Sequence, residues 1–158
     1  MISWKRKKIQ WLNADSDQTN FQEIISKIDR LKDNDIYVGC DSHKKGGVYI
    51  FAVVIALHLK GKGGTFFFYR NKSTDKQLDN LRMRLMKETE LAVKAANDIR
   101  EHIQDRVINV HLDINPKTKY PSSVVLPSAI AWVKSCGFDP SVKPNAWASS
   151  WLADIFAR

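Results

Sequence analysis

Two rhythms of hydrophobic and polar positions divide this 158-residue chain. The first has a period of two, which in a strand sends neighbouring side chains to opposite faces. Residues 36–41 put Ile36, Val38 and Cys40 on one side and Tyr37, Gly39 and Asp41 on the other. Residues 48–59 form a longer run of β-branched and aromatic positions, and residues 65–70 a third. Short turns at 43–47 and 61–64, both containing glycine, separate them, which predicts an antiparallel meander. The Gly61-Lys62-Gly63-Gly64 turn lacks the spacing and the Lys-Ser/Thr ending of a phosphate loop and is expected to be a hairpin. Residues 107–114 alternate again until Asn115-Pro116, and residues 138–143 form a short extended segment that Pro140 confines to a sheet edge.

The second rhythm is helical. Phe21, Ile24, Ile25, Ile28 and Leu31 share one face, and Asn20 with Glu23 makes a capping-box pattern in front of them. Ser73-Thr74-Asp75 starts a long helix over residues 76–104, with Leu78, Leu81, Leu85, Ala92, Ala95 and Ile99 as its apolar stripe. Two more helices are expected over 122–136, stopped by Gly137, and over 145–157. A meander followed by alternating elements predicts an α/β fold: a mixed sheet of five strands with helices on both faces and an extra N-terminal helix. The expected organisation is a basic, Trp-containing arm at residues 1–17 and a single domain at 18–158. A chain of this length buries roughly 70% of its unfolded surface.

Composition narrows the function. With 25 Lys and Arg against 17 acids the net charge is +8, which favours a polyanionic partner, nucleic acid being the commonest. The longest apolar run is interrupted by His58 and is too short to cross a bilayer, so no membrane partner is expected. Met1-Ile2-Ser3-Trp4 leads directly into Lys5-Arg6-Lys7-Lys8 with no apolar stretch of the kind a cleavable signal needs. Cys40 and Cys136 lie in apolar surroundings without metal-ligand spacing and are expected as reduced thiols in the cytoplasm.

Four acids then stand out. Glu88 falls inside the apolar stripe of the long helix, whereas Glu90 falls on its solvated side. A carboxylate at a core position costs several kcal/mol, on the order of 2–7, unless it is paired, and the alternative is that it snorkels to water where the stripe ends. Asp41 closes an apolar strand, Asp113 lies near the end of another, and Asp154 shares the helical position of Trp147 and Trp151. Each has an ordinary explanation as a turn former, a cap or a surface residue. Gathered together they have a chemical one. Hard divalent cations take oxygen ligands, usually a few carboxylates with waters and substrate phosphates. Paired ions stabilise both the attacking and the leaving oxygen of a phosphoryl displacement.

The order of these elements and acids resembles the ribonuclease H-like superfamily. More closely, the chain resembles the ribonuclease H-like YkuK family. The segments that carry this are YVGCDSH at 37–43, the aromatic-rich strand before GKGG, KET at 87–89, HLDI at 111–114 and KPNAWASSWLAD at 143–154. The resemblance implies a metal-dependent nuclease in which Asp41, Glu88, Asp113 and Asp154 are the catalytic metal ligands for two Mg²⁺ or Mn²⁺ ions. Asp41 would bridge both, Glu88 and Asp113 would hold one, and Asp154 the other. RNA, DNA and their hybrid all satisfy it as substrates, cut internally or from an end.

Loop lysines that would flank the strand ends, Lys44, Lys45, Lys62, Lys117 and Lys119, are candidates for phosphate contacts. His43, two residues beyond Asp41, is an auxiliary candidate for touching a phosphate or assisting at the metal. His111 shares a face with Asp113 but is equally explained by packing, and Trp147 and Trp151 either stack on bases or fill the core. The alternative from another functional class is a non-catalytic nucleic-acid-binding module on the same fold.

Overall fold

The computed structural model describes residues 8–158. Trp4 and the Lys5-Arg6-Lys7 run of the expected basic arm lie outside the described residues. The elements are β1 (Trp11–Asn13), β2 (Gln18–Thr19), α1 (Phe21–Arg30), β3 (Asp35–Lys45), β4 (Val48–Leu59), β5 (Gly63–Ser73), α2 (Leu81–Arg100), β6 (Ile108–His111), α3 (Leu126–Ser135), β7 (Asp139–Ser141) and a C-terminal helix. That last helix is a π-type turn over Ala148–Ala153 running into α4 (Asp154–Ala157).

All seven strands join one mixed sheet in the order β2-β1-β5-β4-β3-β6-β7. β3, β4 and β5 form the antiparallel meander, and β6 and β7 add on in parallel. Helices α1, α2 and α3 cover one face through a core that includes Ile24, Ile28, Leu85, Ile99, Ala129 and Val133. Among the described residues the C-terminal helix alone covers the other face, where Ala153 and Ala157 meet Ala52, Val54, Ala56 and Phe68. The alternation in the strands divides the two cores: Ile36, Val38, Phe51 and Val53 serve the first, Tyr37, Ala52 and Val54 the second.

The sheet exceeds the expected five strands because β1 and β2 join it. Trp11, placed in the N-terminal arm by its basic surroundings, is buried edge-on against Tyr69 with ring centroids 4.7 Å apart, and also faces Phe21. Its burial carries residues 11–13 onto the edge of β5, so the arm is ordered into the sheet from this point. Polar residues 42–45 continue β3 rather than forming a turn. Their ladder runs from Ser42↔Phe51 to Lys45↔Val48, leaving a tip of only Gly46 and Gly47, with φ of 57° and 77°. Two left-handed residues match the right-handed strand twist, and glycine takes that conformation without steric cost.

The long helix is also shorter than its hydrophobic stripe. A 3₁₀ turn at Lys76–Asp79, capped by Asp75, precedes a fresh start at Asn80, whose side chain accepts from the Met83 N–H. Pro121–Val125 is likewise 3₁₀ before α3. Pro140 lies in β7 at the sheet edge, as its missing N–H requires.

The C-terminal helix approaches β3 at Gly39. A Cβ there would lie 2.6 Å from the Ser149 nitrogen and 2.7 Å from the Ala148 carbonyl carbon, both backbone atoms that have no rotamer to yield. Gly39→Ala is therefore expected to lift this helix and destabilise the fold by about 1–3 kcal/mol, an overpacking cost. Urea unfolding checks it, and an unchanged midpoint would show that the helix does not depend on this close approach.

Candidate metal centre

The site is assembled by strand register. β6 runs parallel to β3 with Gly39 opposite His111, and two residues further along each strand stand Asp41 and Asp113. α2 lies on the other side of β3 and brings Glu88 to the same end of the sheet. The oxygen atoms that Asp41, Glu88 and Asp113 offer all lie within 4.8 Å of one another, with Asp41 and Glu88 buried and Asp113 partly so. The helical stripe therefore does not end at Glu88, which is only 6% exposed, while Glu90 is at the surface beside Lys87.

Local hydrogen bonds hold the acids in place. The Ser42 hydroxyl donates to Glu88 Oε1 at 2.6 Å, and the Ser42 N–H donates to Asp41 Oδ1 at 2.8 Å. One residue thus orients acids from two elements. The Ser150 hydroxyl donates to Asp113 Oδ1 at 3.0 Å, and Lys143 Nζ lies 3.0 Å from the same oxygen. Asp154 stands beside Asp41, and hydrogen bonding toward Asp113 and Asp154 adds to the upward push on the Asp41 carboxyl. Asp154 is also paired with Arg158 at 3.0 Å.

The electrostatics of this packing are unfavourable for three negative charges. Two like charges 4 Å apart repel by about 4 kcal/mol at an effective dielectric near 20. Burial, with the charges of Glu88 and Asp113 added, pushes the Asp41 carboxyl up to about 10. Burial likewise pushes Glu88 up to about 8, the Ser42 hydrogen bond offsetting part of this and Asp113 adding to it. Burial alone would lower the Lys143 ammonium, but its hydrogen bond to Asp113 and the nearby acids raise it overall. A single, partly exposed lysine is the one cation paired with this cluster among the described residues. The donor set is all oxygen and all acid, which suits a hard divalent cation such as Mg²⁺ or Mn²⁺. A cation placed among the three would replace their repulsion with attraction.

The other sequence candidates fall in different places. His43 is exposed on the same strand face as Asp41, two residues on. Lys44 faces the opposite side, where Asp79 takes it at 2.7 Å and Tyr49 hydrogen-bonds to the same carboxylate. Lys45 is exposed at the end of β3. Lys62 sits in the β4–β5 turn, at the opposite end of β4 from Ala52, the partner of Asp41. Lys117 and Lys119 lie in the loop that leaves Asp113, the latter over the Tyr120 ring. Trp147, Trp151 and Asp154 do not share one environment, because the π turn is wider than an α-helix and the 100° step between residues fails there. Trp147 packs against Tyr37, His58 and His111, whereas Trp151 is 77% exposed. His111 is buried, its Nδ1 accepts from the Ala148 N–H at 3.1 Å, and burial lowers it to about 4, so it is a neutral anchor for the C-terminal helix.

Ser42, Lys143 and Ser150 were missed from sequence. Ser42 had a signal in its position directly after Asp41. Lys143 and Ser150 had none, since they reach Asp113 only through the β7 edge and the π turn.

A family model described as Ribonuclease H-like matches residues 19–158. Comparison with curated proteins and with solved structures gives no match. The mixed sheet with helices on both faces agrees with the α/β architecture of that model.

The raised carboxyls make stability depend on pH. Their folded values lie above the unfolded ones near 4, so the folded state holds extra protons between the two. The metal-free protein is therefore expected to lose stability as pH rises from about 5 to about 9. Glu88→Gln should flatten that decline, and Mn²⁺ should restore the wild-type melting temperature at the alkaline end. Thermal melts in EDTA and in Mn²⁺ across this range check both, and a wild-type profile insensitive to pH and to Mn²⁺ would count against a charge-strained cluster.

Proposed function

The chain belongs to the ribonuclease H-like family, and on that footing we propose that it hydrolyses phosphodiester bonds of nucleic acid at the Asp41–Glu88–Asp113 centre, with Asp154 completing the set. The observation that carries this is the packing of three acids within 4.8 Å at adjoining strand ends in a protein of net charge +8. Lys and Arg attract the polyanion, and the acids concentrate divalent cations where its backbone arrives. Within the family, the 37–43, 111–114 and 143–154 segments support placing the chain with the YkuK proteins.

Asp41, Glu88 and Asp113 would hold Mg²⁺ or Mn²⁺, with Asp154 beside Asp41 as a further ligand. When bound, such ions polarise the scissile phosphate, activate the attacking water and stabilise the leaving oxygen. The residues of the chain supply the rest. Ser42 fixes Asp41 and Glu88 relative to each other, so that neither ligand has to be ordered when substrate arrives. Ser150 and Lys143 do the same for Asp113. The Lys143 ammonium, part-exposed beside Asp113, is placed to meet a phosphate oxygen as a point charge. The open ring of Trp151, next to Ser150 in sequence and one turn before Asp154, offers a stacking surface for an unpaired base.

Asp41→Asn is expected to abolish cleavage while keeping fold and nucleic-acid binding, since the amide can donate as the protonated acid does but supplies no ligand charge. The assay is a Mn²⁺-supplemented panel of single-stranded, duplex, hybrid and branched substrates. Full metal-dependent activity in the variant would sink the assignment. Salt-sensitive binding without cleavage of any substrate by the wild type would favour the binding-module alternative.

A further inference from the structure

The C-terminal helix covers only part of the sheet face that carries Asp41. Its end is marked by Phe156, stacked on Phe68 with ring centroids 3.8 Å apart, and by the Phe156 carbonyl, which accepts from Arg70 Nε at 2.7 Å. Among the described residues, the same face of β3, β4 and β5 beyond that point is exposed at His43, Lys45, Arg70 and Lys72. The ladder defines its rows: Asp41–Ala52–Arg70, then His43–Ile50–Lys72, then Lys45–Val48. Strand alternation sends all of these to one side, and the stacking of Arg70 over Phe68 and Phe156 fixes which side that is.

The strip has two polar borders, which carry the charges of Lys45, Arg70 and Lys72, and an apolar floor. His43 and Lys45 line it on β3, Arg70 and Lys72 on β5, and all four are exposed. Val48, Ile50 and Ala52 of β4 lie between them. The borders are two strand spacings apart, about 9.6 Å, and successive basic side chains along each are about 6.7 Å apart. Among the described residues no carboxylate lies within 4.0 Å of Lys45 or Lys72. Lys44, by contrast, points to the other face and is engaged by Asp79. A strip of basic side chains that leads to Asp41, with Lys45 and Lys72 free of carboxylate partners among the described residues, is matched in charge to a polyanion and in position to the acid cluster.

We propose that this strip is the track for one strand of the nucleic acid, with its phosphates on His43, Lys45, Arg70 and Lys72 and its path leading to Asp41. The loop lysines Lys117 and Lys119 follow β6, which lies across β3 from the strip. The inference rests on the nuclease assignment for its direction, but its binding surface can be tested apart from cleavage.

The test measures anisotropy of a labelled single-stranded oligonucleotide in EDTA as a function of salt. It compares the wild type with Lys45→Ala/Lys72→Ala and with Lys117→Ala/Lys119→Ala, after thermal melts show that each variant is folded. Losing two phosphate contacts on a single strand should reduce the slope of log affinity against log salt by about 1.4. The strip variant should show that loss, and the loop variant should keep the wild-type slope. The track is overturned if the strip variant keeps the wild-type slope, if both pairs lower it equally, or if the wild type does not bind. A reduced slope for the strip variant in a protein that cleaves none of the panel would leave the track standing and remove the nuclease assignment.

Discussion

The repulsion among Asp41, Glu88 and Asp113 is the constraint around which this end of the molecule is built. Three elements that have no sequence proximity converge there, and each could have relieved the strain by turning its carboxylate to water. None does. Ser42 and Ser150 fasten the acids by direct hydrogen bonds, and Lys143 supplies a charge. No buried side-chain nitrogen or oxygen among the described residues lacks a partner, so the cost of the cluster is electrostatic rather than one of missing hydrogen bonds. Burial raises the Asp41 and Glu88 carboxyls, and a divalent cation bound between them would take the place of the protons they favour.

The C-terminal helix depends on the same sheet edge. Its N-terminal end is held by the His111 ring accepting from Ala148 and by the close approach to Gly39. The π turn that follows turns Ser150 to Asp113 and brings Asp154 beside Asp41, while Trp151 remains in solvent. Local widening of a helix is a common way to redirect a functional side chain, at the cost of less regular backbone bonding. Here it lets six residues serve the core, the acid cluster and the solvent face in turn.

Much of this was legible in the sequence. The alternation at 36–41 and 48–59 and the cap at Asn20 mark elements that local chemistry decides. Glu88 was conspicuous because a charge inside an apolar stripe has few explanations. The misses have a shared physical origin. Trp11 joined the sheet through its contact with Tyr69, which is 58 residues away and invisible to local pattern. Ser42–Lys45 continued a ladder whose hydrogen bonds do not require apolar side chains. Lys143 and Ser150 reach Asp113 by tertiary placement alone, and the equivalence of Trp151 and Asp154 assumed an α-helical step that the π turn does not keep.

The two-glycine tip at Gly46-Gly47 carries a further consequence. Asp41 and Ser42 are adjacent in sequence but face opposite sides of β3, one toward the C-terminal helix and the other toward α2. The tight tip leaves the β3–β4 pairing no slack, so the division of labour between them is counted out from the turn like a reading frame. One residue gained or lost in the upper part of β3 would exchange the two faces, placing a hydroxyl where the Asp41 carboxylate stands and depriving Glu88 of its Ser42 hydrogen bond. Length variation in this hairpin is thus compatible with the site in steps of two, or beyond the tip, but not in steps of one.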